Sequence, residues 1–367
     1  MVMTRFSPLA CAGVFAAVAG MACVTIAAAR GNTGFQQPQQ ACFRNAPPGT
    51  IVVSNMNDNT ATVIDVATCR VLATLPTGEG PHEVAASHDG LWAIVTNYGV
   101  RGKPGNTLTV IELASTRVAR TIDLGEYRRP HGVVFLPGDT LLAVTSEASQ
   151  AVLVVDLRTD RVIRTLATHG RASHMLAMPR SGSPLFTTNI ADGTISRLDP
   201  AAPDATVIIP AARQDEGIAI TPDGNAVWVG SNRDSIVVIV NTATRLAADT
   251  LRGFGMPYRL AITPDAALAI VTDPVRSEVR IFDARNHQLR HVVSVPRDSL
   301  LPTAEIPGSA SPEGVAVSRN SRWAFVTLQG RNRVMTIDLE RGTIMAYVPT
   351  GTWSDGIAYS PLSAGKP

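Results

Sequence analysis

Charge is scarce in this 367-residue chain: 17% of residues are charged, and Lys+Arg 32 against Asp+Glu 30 leave a formal net charge of +2. A nucleic-acid binder carries a basic surplus or patch, and neither is present, so no nucleic-acid partner is expected. Several chemistry-bearing motifs are also missing. There is no C-x-x-C-H for covalent haem, no G-x-S-x-G elbow, no G-x-x-x-x-G-K phosphate loop and no H-E-x-x-H zinc helix. The segment "MNDNTATVID" lacks the spacing of a calcium-binding EF-hand and fits a hairpin better.

Long apolar runs are confined to the N-terminus. Arg5 precedes the apolar, small-residue stretch Leu9 to Ala29, and "AAAR" offers an A-x-A cleavage site, so residues 1–29 are expected to be a signal peptide. An uncleaved anchor is the alternative, since the stretch is about 20 residues long. No second stretch of spanning length follows, so the mature chain is expected to be periplasmic or secreted with no membrane span. Of the 4 cysteines, Cys11 and Cys23 lie inside the signal. Cys42 and Cys69 remain, an even pair in an exported chain. A disulfide between them would tie an N-terminal tail, residues 30–49, to the first hairpin and stabilise by about 3 kcal/mol.

Glycine and proline, 29 and 25 residues, recur at regular intervals and predict short strands with tight turns. A repeat organises them. The segments "GPHEVAAS", "RPHGVVFL", "ASHMLAMP", "QDEGIAIT", "MPYRLAIT", "SPEGVAVS" and "WSDGIAYS" align on His82, His131, His174, Glu216, Tyr258, Glu313 and Asp355, spaced by 49, 43, 42, 42, 55 and 42 residues. Each of the first six is followed by strands such as "LWAIVTN" and "LTVIEL" and by a fourth leading to the next copy. Four short strands per period of this length predict a propeller blade. "IVVSNMNDNTATVIDVATCRVLATL" supplies three strands without a first, and "DGIAYS" a first strand with nothing after it. Together they complete one blade from both termini. The expected fold is all-β: a seven-bladed β-propeller over residues 50–361, four antiparallel strands per blade, with a C-terminal tail at 362–367.

"AIVTN", "PHEVAAS" and "TPDG" resemble the YVTN-type, YncE-like β-propeller repeat across roughly residues 50 to 361. The turns "SHDG", "LPGD" and "SRNS" depart from its usual "SPDG", and no blade has the full Tyr-Val-Thr-Asn. The resemblance implies a binding protein holding a small molecule, metal or protein partner at the funnel mouth of the central channel. Propeller lactonases and lyases, similar in architecture, and haem-carrying propellers, similar in repeat pattern, imply the other classes.

The aligned position points one side chain per blade toward the funnel. His82, His131 and His174 come from consecutive blades and are the expected ligands of a divalent metal (Zn, Cu, Fe or Ca), with Glu216, Glu313 or Asp355 opposite as ligand or base. In a metal-free scheme, a neutral His is the base and a carboxyl of raised pKa the acid. A family preference for polar turn residues would explain the same pattern without a site. Gly follows the aligned residue in four blades, where a turn needs conformational freedom. Glu83, Met175 and Arg259 break that rule. Glu83 is a candidate partner for His82, and Arg259 a candidate for an anionic substrate group; a surface salt-bridge role is the alternative for both. The loop after the second strand supplies Asn55, Asn97, Tyr98, Glu147, Asn189, Asn232, Asp273 and Gln329. Of these, Glu147 is the strongest catalytic candidate, with Asn97, Tyr98 and Asn189, beside Tyr258 from the aligned set, as candidate ligand contacts. Insertions at "NYGVRGKPGNT" and "PRDSLLPTAEIPGSASPEG" map to the same face, where Arg101 and Lys103 could attract an anion.

Overall fold

The computed structural model describes residues 42–297 and 306–365, so the proposed signal peptide, the start of the tail and part of the second insertion lie outside the described residues. Seven four-stranded antiparallel sheets are arranged as blades of one propeller. Their innermost strands, in blades one to seven, are Pro81–Ala86, Pro130–Phe135, Ser173–Ala177, Asp215–Ile220, Leu260–Ile262, Pro312–Val317 and Ser354–Ser360. Neighbouring innermost strands touch around the ring. Among the described residues, no helix is long and apolar enough to cross a membrane.

Middle strands such as Leu141–Ser146 and Ala151–Asp156 are buried almost end to end, because the blades on either side cover both sheet faces. Outer strands such as Arg161–Ala167 are largely exposed. The core is therefore a set of apolar seams between blades. Ile94 and Leu108 of blade one pack with Leu142 and Leu153 of blade two, and Trp323 of blade six packs on Phe43 at a ring separation of 4.9 Å.

Blade seven closes the ring as expected. Ser354–Ser360 pairs with Thr50–Asn55, which leads outward to Thr60–Asp65 and Arg70–Pro76. Cys42 and Cys69 form a disulfide that fastens the incoming segment to the turn between the two outer strands. The other end is anchored too, since the Thr50 hydroxyl donates to Leu362 O and accepts from Ala364 N, each at 2.7 Å.

The repeated "V-T-N" stretch has a mechanical reading. Its Thr reaches the next blade: Thr145, Thr188 and Thr327 donate to the carbonyls of His174, Glu216 and Asp355 at 2.6, 3.2 and 2.8 Å, and Ser54 donates to that of His82. Its Asn locks its own blade. Asn97 Nδ2 donates to the hydroxyls of Thr107 and Thr109, while its Oδ1 accepts from Gly78 N at 3.0 Å. Asn189 likewise spends Nδ2 on Thr194 and Ser196 and Oδ1 on the Ser173 hydroxyl. Asn97 and Asn189 are thus corrected from ligand contacts to blade fasteners: both are buried and their amides are saturated.

The glycine after the aligned residue also has a different cause from the one expected. Gly132, Gly217, Gly314 and Gly356 do not have positive φ; a Cβ there would meet the next blade's backbone, at 2.2 Å from Asp355 O for Gly314 and 2.3 Å from His82 O for Gly356. Gly314→Ala is expected to force this seam apart and lower stability by about 1–3 kcal/mol in urea unfolding. A wild-type midpoint would show that the seam has room to spare.

Candidate functional site

A repeated irregularity aims the aligned side chains. Pairing between first and second strands shifts register between Pro81 and Val84, Pro130 and Val133, Ser173 and Leu176, Asp215 and Ile218, and Pro312 and Val315. The two residues inside each break leave the regular ladder, which frees them to turn toward the axis. Blade seven breaks similarly around Asp355 and Gly356, and in blade five the strand begins only at Leu260, after Tyr258 and Arg259.

The second contribution comes from the residue after the Asn lock. Tyr98, Glu147, Asn232 and Gln329 occupy that register, and short 3₁₀ turns begin at Glu147 and Gln329. Each meets the aligned residues: Glu147 Oε2 lies 3.1 Å from His174 Nδ1, Asn232 Nδ2 donates to Glu216 Oε2 at 3.4 Å, and Gln329 Nε2 donates to Glu313 Oε2 at 2.7 Å. Sequence alignment merged this register with that of the Asn lock, one residue away.

The result is a buried charge network. Arg129 Nη1 donates to Tyr98 Oη at 2.7 Å, and Tyr98 donates to Glu147 Oε1 at 2.9 Å. His174 joins Glu147 to Glu216, its Nε2 lying 2.7 Å from Glu216 Oε1. Arg259 Nη1 donates to the same oxygen at 2.8 Å, and its Nη2 and Nε donate to Glu83 Oε1 at 2.7 and 3.1 Å. Since Arg259 belongs to blade five and Glu83 to blade one, this link crosses the channel. Arg259 also lies over the Tyr258 ring, 4.3 Å from its centre. Glu83 and Arg259 are 8% and 3% exposed. They are neither surface residues nor open anion receptors, and Glu83 pairs with Arg259 rather than with His82. Lys103 is engaged by Glu79 in an exposed ion pair.

Three imidazoles stack beside this network. The His131 ring centre is 4.3 Å from that of His82 and 3.6 Å from that of His174, with Tyr98 edge-on to His82 and His131. Their roles differ. Burial alone would lower the pKa of His174, yet the Glu216 and Glu147 carboxylates raise it to about 9. With both ring nitrogens on carboxylates, His174 has no free nitrogen in this arrangement, unlike His131, its partner in the expected His82, His131, His174 ligand set. His131 is opposite in character. Burial above all, then the neighbouring His174, His82 and Arg259, holds its pKa well below the ordinary value, and neither ring nitrogen has a partner. His82 Nδ1 lies 2.5 Å from Asp355 Oδ2, a close contact outside hydrogen-bond geometry. The side chains whose ligating atoms converge, within 4.8 Å of one another, are His82, Glu83 and His131.

Burial opposes ionisation of Glu147, Glu216 and Asp355, but the facing groups outweigh it: His174 for the first two, the His82 ring and the Arg259 guanidinium for Asp355. All three carboxyls sit below their usual range. The acid expected in the metal-free scheme, a ring carboxyl of raised pKa, is therefore not found among them. The neighbouring Asp215 is the carboxyl that burial pushes up, to about 7, and it is turned toward Ala212 N.

A family model described as a YNCE-like beta-propeller matches residues 41–141 and 167–355. The chain belongs to the YncE-like β-propeller family. Among solved structures it is similar to hydrazine synthase of Kuenenia stuttgartiensis, at 17% identity over 77% of this chain and 90% of that one, with a TM-score of 0.65. It is also similar to a functionally unknown protein from Desulfotomaculum acetoxidans DSM 771, at 15% identity over 84% and 98%, with a TM-score of 0.67. These identities speak to the fold alone. No curated protein matches the chain.

The YncE-like network sets two expectations. Because the folded pKa of His174 lies above its unfolded value, its stabilisation is complete below about pH 6.5 and is lost as pH rises through about 9. Urea stability should fall by up to about 3 kcal/mol between pH 6 and 10; a flat profile would mean that the His174–Glu216 contact contributes nothing net. Arg259→Met leaves the buried Glu83 carboxylate without its cation and Glu216 with His174 alone, and should cost about 3–5 kcal/mol. A loss under about 1 kcal/mol, the value of an exposed pair, would contradict the channel-crossing bridge.

Proposed function

We propose that this YncE-like propeller is an exported binding protein that takes a small cationic ligand at the mouth of its central channel. The observation that carries the reading is the sign of the buried network. Glu83, Glu147, Glu216 and Asp355 outnumber the fixed cations Arg129, Arg259 and the protonated His174. Buried like charges repel strongly, so a proton on His82 or a bound cation is needed to balance them. His82 and Glu147, with side chains 14% and 19% exposed, are where a ligand would enter. The Cys42–Cys69 disulfide supports a periplasmic or secreted location, because such bridges persist in oxidising compartments.

A hydrolase or lyase is less well supported. The ionised carboxylates and the imidazolium His174 occupy one another, and the neutral imidazole, His131, is wholly buried. That arrangement suits holding a charge better than shuttling a proton.

Calorimetry on the mature protein, with Zn²⁺, Cu²⁺, Ca²⁺, spermidine and tetramethylammonium as probes, tests the reading. At least one should bind, and Glu147→Gln should weaken it roughly five-fold, the effect of removing about 1 kcal/mol of Coulomb attraction. Binding of anions in place of cations, or equal affinity in the variant, would overturn it.

A further inference from the structure

We infer that the cation is a divalent transition metal held by His82, Glu83 and His131, an assignment that rests on the cation-binding reading and names its ligand. The decisive residue is His131. It is 0% exposed, and both ring nitrogens lack a hydrogen-bond partner. A buried polar group left unsatisfied costs about 1–3 kcal/mol, and of the three ring histidines His131 is the one with both nitrogens buried and unpartnered. An imidazole whose nitrogens no other group occupies is what a metal ion requires of a histidine ligand.

The surroundings fit that use. Ligands bound at about 2.1 Å stand at most ~4.2 Å apart, so a triad already within 4.8 Å closes around an ion by small side-chain rotations. Metal-bound histidines commonly give their second nitrogen to a carboxylate, and Asp355 stands against His82 Nδ1, leaving Nε2 as the nitrogen available. The two Arg259 hydrogen bonds fix the Glu83 carboxylate from the opposite side of the channel. The nearby cations His174 and Arg259 are themselves paired with carboxylates, which offsets part of their charge at the triad.

Two imidazoles and one carboxylate select borderline metals. Zn²⁺, Fe²⁺, Co²⁺ and Cu²⁺ suit that set, whereas Ca²⁺ wants six to eight oxygens and does not. Only three protein ligands converge among the described residues, which leaves a position for water or a small molecule on the His82 side.

The test is titration of the metal-stripped mature protein with Co²⁺ and Zn²⁺, read by calorimetry and by the visible ligand-field bands of Co²⁺. One equivalent should bind. His131→Phe replaces the unpartnered imidazole by an apolar ring of similar size; it should melt in chelator at or above the wild-type temperature and bind about 100-fold more weakly or worse. His82→Gln, at the more exposed ligand, gives the same readout should the first variant fail to fold. Wild-type protein that gives neither heat nor Co²⁺ bands at millimolar metal, or variants that bind as tightly as wild type, would overturn the assignment. If spermidine or tetramethylammonium binds while Co²⁺ and Zn²⁺ do not, the metal falls and the cation reading stands; if nothing binds, both fall.

Discussion

The channel is organised around one guanidinium. Arg259 holds Glu216 of the adjacent blade and Glu83 across the axis, and through Glu216 it is coupled to His174 and Glu147. A flat, permanently charged fork can serve two carboxylates at once without losing its proton, which a lysine cannot do in the same geometry. Buried ion pairs are weak evidence for stability, because desolvation offsets most of the Coulomb gain. Their stronger effect is on geometry. With Glu83 pinned from the far side, blades one, four and five are held at one spacing, and the stacked imidazoles on the near side inherit that spacing.

Much of the fold was legible in the sequence. The repeat period, the missing first strand at one end and the orphan first strand at the other require a closed ring, and these features are written in strand length and hydrophobicity. The aligned position was legible too, because six of the seven blades put the ring residue in a register break, and in blade five it lies just before the strand. What the seven residues do with one another was not. Side-chain reach across a channel has no sequence period, so the bond between Glu83 and Arg259, 176 residues apart, leaves no local signal. Nor could alignment tell which histidine is imidazolium, since that depends on carboxylates from other blades.

The signal that pointed to chemistry was departure from the repeat. Where glycine follows the aligned residue, the next blade's backbone sits against it and no side chain fits. Glu83 and Arg259 stand where that glycine is absent, and these two side chains meet. Conversely, the most repetitive residues, the Thr and Asn of the second strand, are occupied by backbone carbonyls and hydroxyls and have little left to offer a ligand. Repetition marks what builds the ring, and exceptions mark what fills it.

Closure by both termini also sets an order of events during synthesis. Three strands of blade seven are made first and its innermost strand last; Gly49 and Ser363, bonded across this junction, are 314 residues apart. Until Ser354–Ser360 arrives, Thr50–Asn55 presents an open edge, the kind of edge that recruits stray strands. The Cys42–Cys69 bond needs none of the later blades. It can fasten the first-made strands of the seventh blade while the other six are still being added, so that the last strand docks onto a sheet already held in shape.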